Sequence, residues 1–104
     1  MEMSKRNHKI RELLLLDLDD NYFSLLCELS GQNQTLKKST VKSCWDEYLN
    51  NLDHCTFVCE DTPDQPHLNG RIIGTASVLI EYKMLHYGSK VGHIEDVVVA
   101  NQTR

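Results

Sequence analysis

The hydrophobic period of the sequence changes near residue 53, and this change limits the fold more than any other feature. Before it, apolar residues recur every three or four positions, which predicts amphipathic helices. After it, β-branched runs are separated by clusters of turn residues, which predicts strands. The predicted helices are 17–31 and 40–52, and the predicted strands are 9–16, 54–60, 71–83 and 93–100. The order β-α-α-β-β-β predicts an α+β fold with a largely antiparallel sheet.

Residues that start and stop helices support this division. Asp17 is the candidate N-cap of the first helix, and Gly31 lies just after its last apolar position. Thr40 is the candidate N-cap of the second helix. The chain has 104 residues, which suits one domain, and no repeat divides it. We therefore predict a single domain over 1–104.

Net charge and the distribution of apolar residues argue against several classes of protein. A net charge of −4 and a pI near 5.6 do not suit a dominant basic face that binds nucleic acid. No segment reaches the roughly 18–20 apolar residues of a membrane-spanning helix. The charged start MEMSKRNHKIRE lacks the apolar stretch of a secretory signal. We therefore expect a cytoplasmic protein with no nucleic-acid partner and no transmembrane segment.

The cysteines are candidate metal ligands, and we weighed them against a structural role. Cys55 and Cys59 are flanked by His54 and His67, a composition compatible with zinc. However, 54–60 is a predicted strand, in which residues four apart lie about 13 Å from each other. That separation is too large for a shared metal ion. We expect no metal, and we expect the thiols to be reduced, buried and structural.

Adjacent acids at the start of a valine run form the first candidate site. Glu95 and Asp96 precede Val97–Val99. Because neighbouring residues of a strand point to opposite faces, we predict that one of the two acids points inward. A buried carboxylate needs a partner, a bulge or a polar cleft. The alternative is a solvated pair at the edge of the sheet.

A basic cluster around a short glycine-containing connection forms the second candidate site. Lys83, His86, Lys90 and His93 suit the binding of an anion such as a phosphate monoester. The alternative is ordinary solvation of a loop. No Ser, Cys or Asp stands beside the histidines as in a catalytic triad, so nucleophilic catalysis has no support. The phosphate-binding motif GxGxxG and the zinc motif HExxH are also absent from the sequence.

The chain resembles a known family in four places. These are the segment EDVVV, the IExKxxH pattern before it, and the two helical segments DLDD…LS and TVKSCWDEYL. From about Lys9 to Arg104, the chain is similar to the glucosamine 6-phosphate N-acetyltransferases of the GNAT superfamily. The most distinctive stretch is GTASVLIEYKMLHYGSKVGHIEDVVV. The resemblance implies the amino-terminal part of the GNAT fold. It also implies a homodimer that transfers acetyl from acetyl-CoA to the amine of glucosamine 6-phosphate by direct attack, on the way to UDP-N-acetylglucosamine.

The resemblance also implies roles for individual residues. Acetyl-CoA is expected along the backbone of the valine run, with the N–H of Val97 near the thioester oxygen, and no side chain is assigned as catalytic. Glu95 and Asp96 match acids that hold the amino sugar, the loop from Lys83 matches residues at its phosphate, and Ser30 stands where threonine is common. The implied substrate-binding residues are Ser30, Lys83, Met84, Leu85, His86, Glu95, Asp96 and Val97, and the implied cofactor-binding residues are Val97, Val98, Val99 and Arg104.

Arg104 matches the first residue of the family's R/Q-x-x-G-x-G/A loop, which binds the CoA pyrophosphate, and the sequence stops there. We therefore expect an incomplete GNAT domain with low or absent activity by itself. The alternative is an inactive form that at most associates with the full-length enzyme. A third possibility is a small anion-binding module that uses Lys83, His86 and Lys90. An uncovered valine strand is expected to destabilise the chain or to make it dimerise.

Overall fold

Four antiparallel strands and two long helices make up residues 7–31, 38–62 and 70–101, the part of the chain that the computed structural model describes. The elements are β1 (Asn7–Glu12), a 3₁₀ helix (Leu15–Asp17), α1 (Asp20–Ser30), α2 (Lys38–Asn50), β2 (His54–Thr62), β3 (Arg71–Tyr82), α3 (Leu85–Gly88) and β4 (Lys90–Val99). The sheet order is β1-β2-β3-β4. The predicted α+β class and element order are confirmed, and the 3₁₀ helix and α3 are additions that we did not predict.

The first strand ends four residues earlier than predicted because Asp17 turns the chain back. The Asp17 carboxylate accepts hydrogen bonds from both terminal nitrogens of Arg11, at 2.7 and 2.8 Å, and from the Leu14 N–H at 2.7 Å. The Arg11 Nε also donates to Glu60 of β2, at 3.0 Å. The leucine run therefore folds into the 3₁₀ helix instead of extending β1.

The helix boundaries correct two predicted caps. Asp19, not Asp17, is the N-cap of α1, because its side chain accepts the Tyr22 N–H at 2.9 Å. The Asp17 carboxylate is instead hydrogen-bonded to Arg11. The predicted stop at Gly31 is confirmed: this residue has φ +71°, and its N–H donates to the Cys27 carbonyl at 2.8 Å. Thr40 is not a cap, since α2 already begins at Lys38.

The core lies between α1 and one face of the sheet, here called the helix face. Tyr22 and Leu25 of α1 pack with Val58 of β2 and Val98 of β4, and Trp45 of α2 packs against this cluster. The register places on the helix face Thr56, Val58, Thr75, Ser77, Glu81, His93, Glu95 and Val98. The opposite face, here called the open face, carries Ile10, Cys59, Gly74, Val78, Tyr82, Lys90, Ile94 and Val99. α1 lies over the β3–β4 half of the sheet, where both candidate sites fall.

The hydroxyl of Tyr48 in α2 accepts a backbone hydrogen bond from β2 at the place where β1 ends. The Thr56 N–H donates to the Tyr48 hydroxyl at 2.9 Å, and the Thr56 carbonyl accepts the Leu13 N–H at 2.9 Å. Burial raises the pKa of Tyr48. A single side chain thus satisfies a backbone donor that the shortened β1 no longer reaches.

The cysteines correct our prediction of buried thiols. Cys44 is exposed, and Cys27, Cys55 and Cys59 are half-buried, all of them as free thiols. Cys55 and Cys59 do lie on one strand, β2, as predicted. Within the ranges that the structure describes, no group of three or more His, Cys, Asp and Glu side chains is arranged to hold a metal ion. His67 lies outside those ranges. No described helix is long and apolar enough to cross a membrane.

Candidate functional site

A bulge interrupts β4 at the two acids that the sequence singled out. The pairs on either side of the bulge are Thr75 with Val98 and Ser77 with Glu95. Ala76 of β3 therefore lies opposite two residues, Asp96 and Val97. Asp96 adopts φ +52°, the left-handed region that aspartate tolerates better than most residues do. The strand leaves the bulge with its backbone direction changed just before the valine run.

Neither acid is buried, and the bulge begins directly after Glu95. The strict alternation of a strand predicted that one of Glu95 and Asp96 would point inward, but both are exposed. Glu95 shares the helix face with its partner Ser77. Asp96 lies within electrostatic range of Tyr22: burial is the main cause that raises the pKa of Tyr22, and the charges of Asp17 and Asp96 add to it. Both carboxylates are therefore exposed, with Glu95 on the helix face and Asp96 close enough to α1 to act on Tyr22.

The valine run is covered on one side only. Val98 is buried in the core, whereas Val97 is 55% exposed and Val99 is 43% exposed. A run of three valines is typical of a strand covered on both faces, whereas the described elements cover this run on the helix face alone. β4 is also the last strand of the described sheet, so no described strand pairs with its outer edge.

The hydrogen-bond alternation of the sheet turns the backbone of Val97 toward that outer edge. The Ala100 N–H donates to the Ile73 carbonyl of β3 at 2.8 Å. In an antiparallel ladder, residues face the neighbouring strand at every second position. Val98 therefore faces β3 like Ala100, and the Val97 carbonyl, which shares a peptide with the Val98 N–H, points away from β3. This is the orientation that a backbone contact with an extended ligand requires.

The predicted basic cluster separates into two groups on opposite faces of the sheet. On the helix face, the Glu81 carboxylate accepts hydrogen bonds from Lys83 Nζ at 3.0 Å and pairs with His93 Nε2 at 2.7 Å. On the open face, Lys90 lies 5.4 Å from the centre of the Tyr82 ring. Lys83 and His93 thus share a contact with Glu81, and Lys90 lies on the other face.

Glu81 is the glutamate of the IExKxxH pattern, but the sequence analysis assigned it no role in a site. Lys83 lowers the pKa of Glu81 most, and His93 lowers it further, because both favour the charged carboxylate. The signal was present in the sequence: Glu81 and Lys83 are two apart in a strand and therefore share a face. The contact with His93 needed the register of β3 and β4.

The remaining predicted site residues are placed less closely together. Ser30 is exposed in the last turn of α1, two residues after Glu28, whose carboxylate accepts the Asn101 N–H at 2.9 Å. This contact ties the end of α1 to the end of β4 and not to the Lys83 end. Met84 and Leu85 are exposed at the β3–β4 connection. His86 lies in α3, its side chain being outside the description, and Arg104 lies outside the described residues.

Comparison with known proteins gives relatives of one kind. No protein-family model matches the chain. A probable glucosamine 6-phosphate N-acetyltransferase of Oryza sativa subsp. japonica is 38% identical over 92 residues, which are 88% of this chain and 53% of that protein. The crystal structure of glucosamine-6-phosphate N-acetyltransferase from Arabidopsis thaliana superposes with a TM-score of 0.80 at 32% identity, covering 94% of this chain and 63% of that chain.

A second structure agrees with the first. A Trypanosoma brucei acetyltransferase superposes with a TM-score of 0.75 at 33% identity, again covering 94% of this chain and 63% of that chain. The chain thus spans between 53% and 63% of the proteins that it matches here. These similarities confirm the resemblance found in the sequence: the chain is homologous to the amino-terminal part of the glucosamine 6-phosphate N-acetyltransferases and has the fold of the corresponding part of a GNAT acetyltransferase.

Proposed function

We propose that the chain carries the amino-terminal half of a site that transfers acetyl from acetyl-CoA to the amine of glucosamine 6-phosphate. The bulge at Asp96 and Val97 carries this proposal, because it places an outward-facing backbone between two carboxylates and an uncovered apolar strand. The substrate is the one for which the similar proteins of Oryza sativa and Arabidopsis thaliana are named. Acetyl-CoA enters as the usual acetyl donor of such enzymes.

The backbone of β4 would bind the thioester. The pantetheine arm lies along Val97–Val99 like an added strand, and the Val97 N–H points at the thioester oxygen. The neutral amine attacks the carbonyl carbon, the oxygen gains negative charge, and the C–S bond then breaks to release the thiolate. A fixed N–H donor stabilises this developing oxyanion, and no covalent enzyme intermediate is needed.

The side chains of the helix face would hold the sugar. Glu95 and Asp96 accept hydrogen bonds from the amino sugar near its ammonium group, which must lose a proton before attack. Lys83 donates to the phosphate from the far end of the same face, where Glu81 holds it. The resemblance alone supports the remaining assignments. It places Ser30, Met84, Leu85 and His86 in the proposed sugar site. It places Val98 and Arg104 in the proposed cofactor site.

Amide NMR spectra test the proposal with a probe for each half of the site. We expect S-acetyl-pantetheine, the part of acetyl-CoA that contacts the valine run, to shift the amides of Glu95–Val99 and of the facing part of β3. Glucosamine 6-phosphate should shift Glu95, Asp96 and the 83–86 segment. Thiol release is then assayed with acetyl-CoA and glucosamine 6-phosphate. If the site functions, replacing Glu95 and Asp96 should abolish this release. Absence of both sets of shifts at millimolar ligand would contradict the proposal and favour the inactive alternative.

We also propose that two copies of the chain associate through β4. Ile94 of β4 and Tyr82 of β3 are 73% and 67% exposed on the open face, two large apolar side chains that a second copy could cover. Sedimentation should show a dimer that dissociates on dilution, and Ile94→Glu should shift the equilibrium to monomer. Leu52→Glu is the matched control, because Leu52 is also a large apolar residue and is 93% exposed, but it follows α2. A monomer at all concentrations with a cooperative unfolding transition would contradict this proposal.

A further inference from the structure

Glu81 is the one charged group of the helix face whose two carboxylate oxygens contact two different basic side chains. Lys83 Nζ lies 3.0 Å from Oε1, and His93 Nε2 lies 2.7 Å from Oε2. All three side chains are between 40% and 46% exposed, so water reaches them. An exposed ion pair of this kind adds little to folding stability. We therefore looked beyond folding stability for a role of the contacts that Glu81 makes with Lys83 and His93.

We infer that Glu81 is a positioning residue that holds Lys83 on the helix face for the phosphate of the substrate. This inference rests on the proposed function. A free lysine side chain loses considerable rotamer freedom when it binds a ligand. Glu81 restricts that freedom beforehand, and His93 fixes the carboxylate from the other side. The cost of ordering Lys83 is then met during folding instead of during binding.

Glu81 can do this without blocking the phosphate. An ammonium group has three donors, and Glu81 uses one of them, so two remain for phosphate oxygens. One carboxylate oxygen of Glu81 faces the Lys83 ammonium and the other pairs with the His93 ring, which reduces the repulsion between Glu81 and an incoming anion. Lys90 shows the contrast, since it has no such carboxylate and lies over Tyr82 on the open face. The structure thus distinguishes two lysines that the sequence had placed in one cluster.

The test compares binding of glucosamine 6-phosphate with binding of glucosamine, which lacks the phosphate. The wild-type chain should prefer the phosphorylated sugar. Glu81→Gln should weaken binding of glucosamine 6-phosphate by about 3- to 10-fold, the equivalent of ordering one long side chain, and leave glucosamine binding unchanged. Lys83→Met should remove the preference. The double variant should be no worse than Lys83→Met, because Glu81 acts through Lys83. Lys90→Met, on the other face, is the control that should keep the preference.

The outcomes separate this inference from the proposed function. If the wild-type chain shows no preference for the phosphorylated sugar, the proposed function fails and the inference fails with it. If the preference exists and Lys83→Met removes it, but Glu81→Gln binds as tightly as the wild type or more tightly, the positioning role alone is overturned. Equal weakening of both sugars by Glu81→Gln would also overturn it, since that result indicates a general structural effect. Thermal unfolding of each variant confirms that the compared chains are folded.

Discussion

Replacing Asp96 by valine should disrupt β4 and weaken the thioester contact, whereas replacing it by asparagine should leave both intact. Asp96 has φ +52°, a conformation in which a β-branched residue is strongly disfavoured. We expect Asp96→Val to cost about 2 kcal/mol of unfolding free energy, a typical value for one strained residue. Asparagine tolerates the left-handed region as well as aspartate does, so Asp96→Asn should change stability by less than about 0.5 kcal/mol.

The consequence for binding follows from the register. If valine removes the bulge, the residues after position 96 move by one place, and the faces of the strand are exchanged. Val98 would then leave the core, and the backbone of Val97 would turn from the outer edge toward β3. S-acetyl-pantetheine should bind Asp96→Val at least about fivefold more weakly, as expected for a lost hydrogen bond. Asp96→Asn should keep the shifts of the valine amides and lose affinity only for the amino sugar.

These two variants separate the backbone of the bulge from its charge. Chemical denaturation gives the stability difference, and the amide spectra give the two affinities. A valine variant with wild-type stability and unchanged binding of the thioester would show that the bulge is irrelevant to the site. An asparagine variant that loses the thioester contact would show that the carboxylate, not the backbone, makes it.

The bulge also marks the limit of what hydrophobic pattern predicts. The period of the sequence located β4 and its two acids, and the element order followed from the helical and extended segments. A period of two contains no information on an inserted residue, so the pattern predicted an inward acid where the structure has a bulge. The only local signal was an aspartate, which favours left-handed backbone, just before a β-branched run.

Contacts between distant residues were the second limit. Strand alternation alone could have separated Lys83 from Lys90 once the turn was placed, but α3 and the register of the hairpin were not predicted. Asp19 is the N-cap of α1 because the Asp17 carboxylate is hydrogen-bonded to Arg11. Arg11 also donates to Glu60, which lies 49 residues further along the chain. A cap preference of about 1 kcal/mol is smaller than a bidentate arginine contact in a half-buried place, so the longer-range interaction decides the boundary.

Asp17 should therefore be a major source of stability, although it is far from the candidate site. Its carboxylate is 10% exposed and accepts both Arg11 terminal nitrogens and the Leu14 N–H. Asp17→Asn removes the charge and half of the paired geometry, and it leaves the Arg11 guanidinium with one carboxylate partner, Glu60, beside the Glu12 carbonyl. We expect a loss of about 3 kcal/mol, the low end for a broken buried pair, because Arg11 keeps some contact with water. For a domain of this size that is a large share of the roughly 5–15 kcal/mol available.

The pH dependence provides a second, independent readout of the same contact. The hydrogen bond from Arg11 is the main cause that lowers the pKa of Asp17 from its ordinary 3.8, and burial opposes it. Arg11 stays charged throughout, since Asp17 and Glu60 raise its pKa further. A carboxylate with a lowered folded-state pKa stabilises the fold fully at pH values above its unfolded-state pKa. It loses that contribution as the pH falls through its folded-state pKa.

The difference in unfolding free energy between wild type and Asp17→Asn should thus be constant at neutral pH and shrink below about pH 4. Asp46→Asn, on the exposed side of α2, is the control and should leave the stability at neutral pH nearly unchanged. A difference that persists undiminished at pH 2 would show that asparagine destabilises the turn by its shape and not by the lost charge.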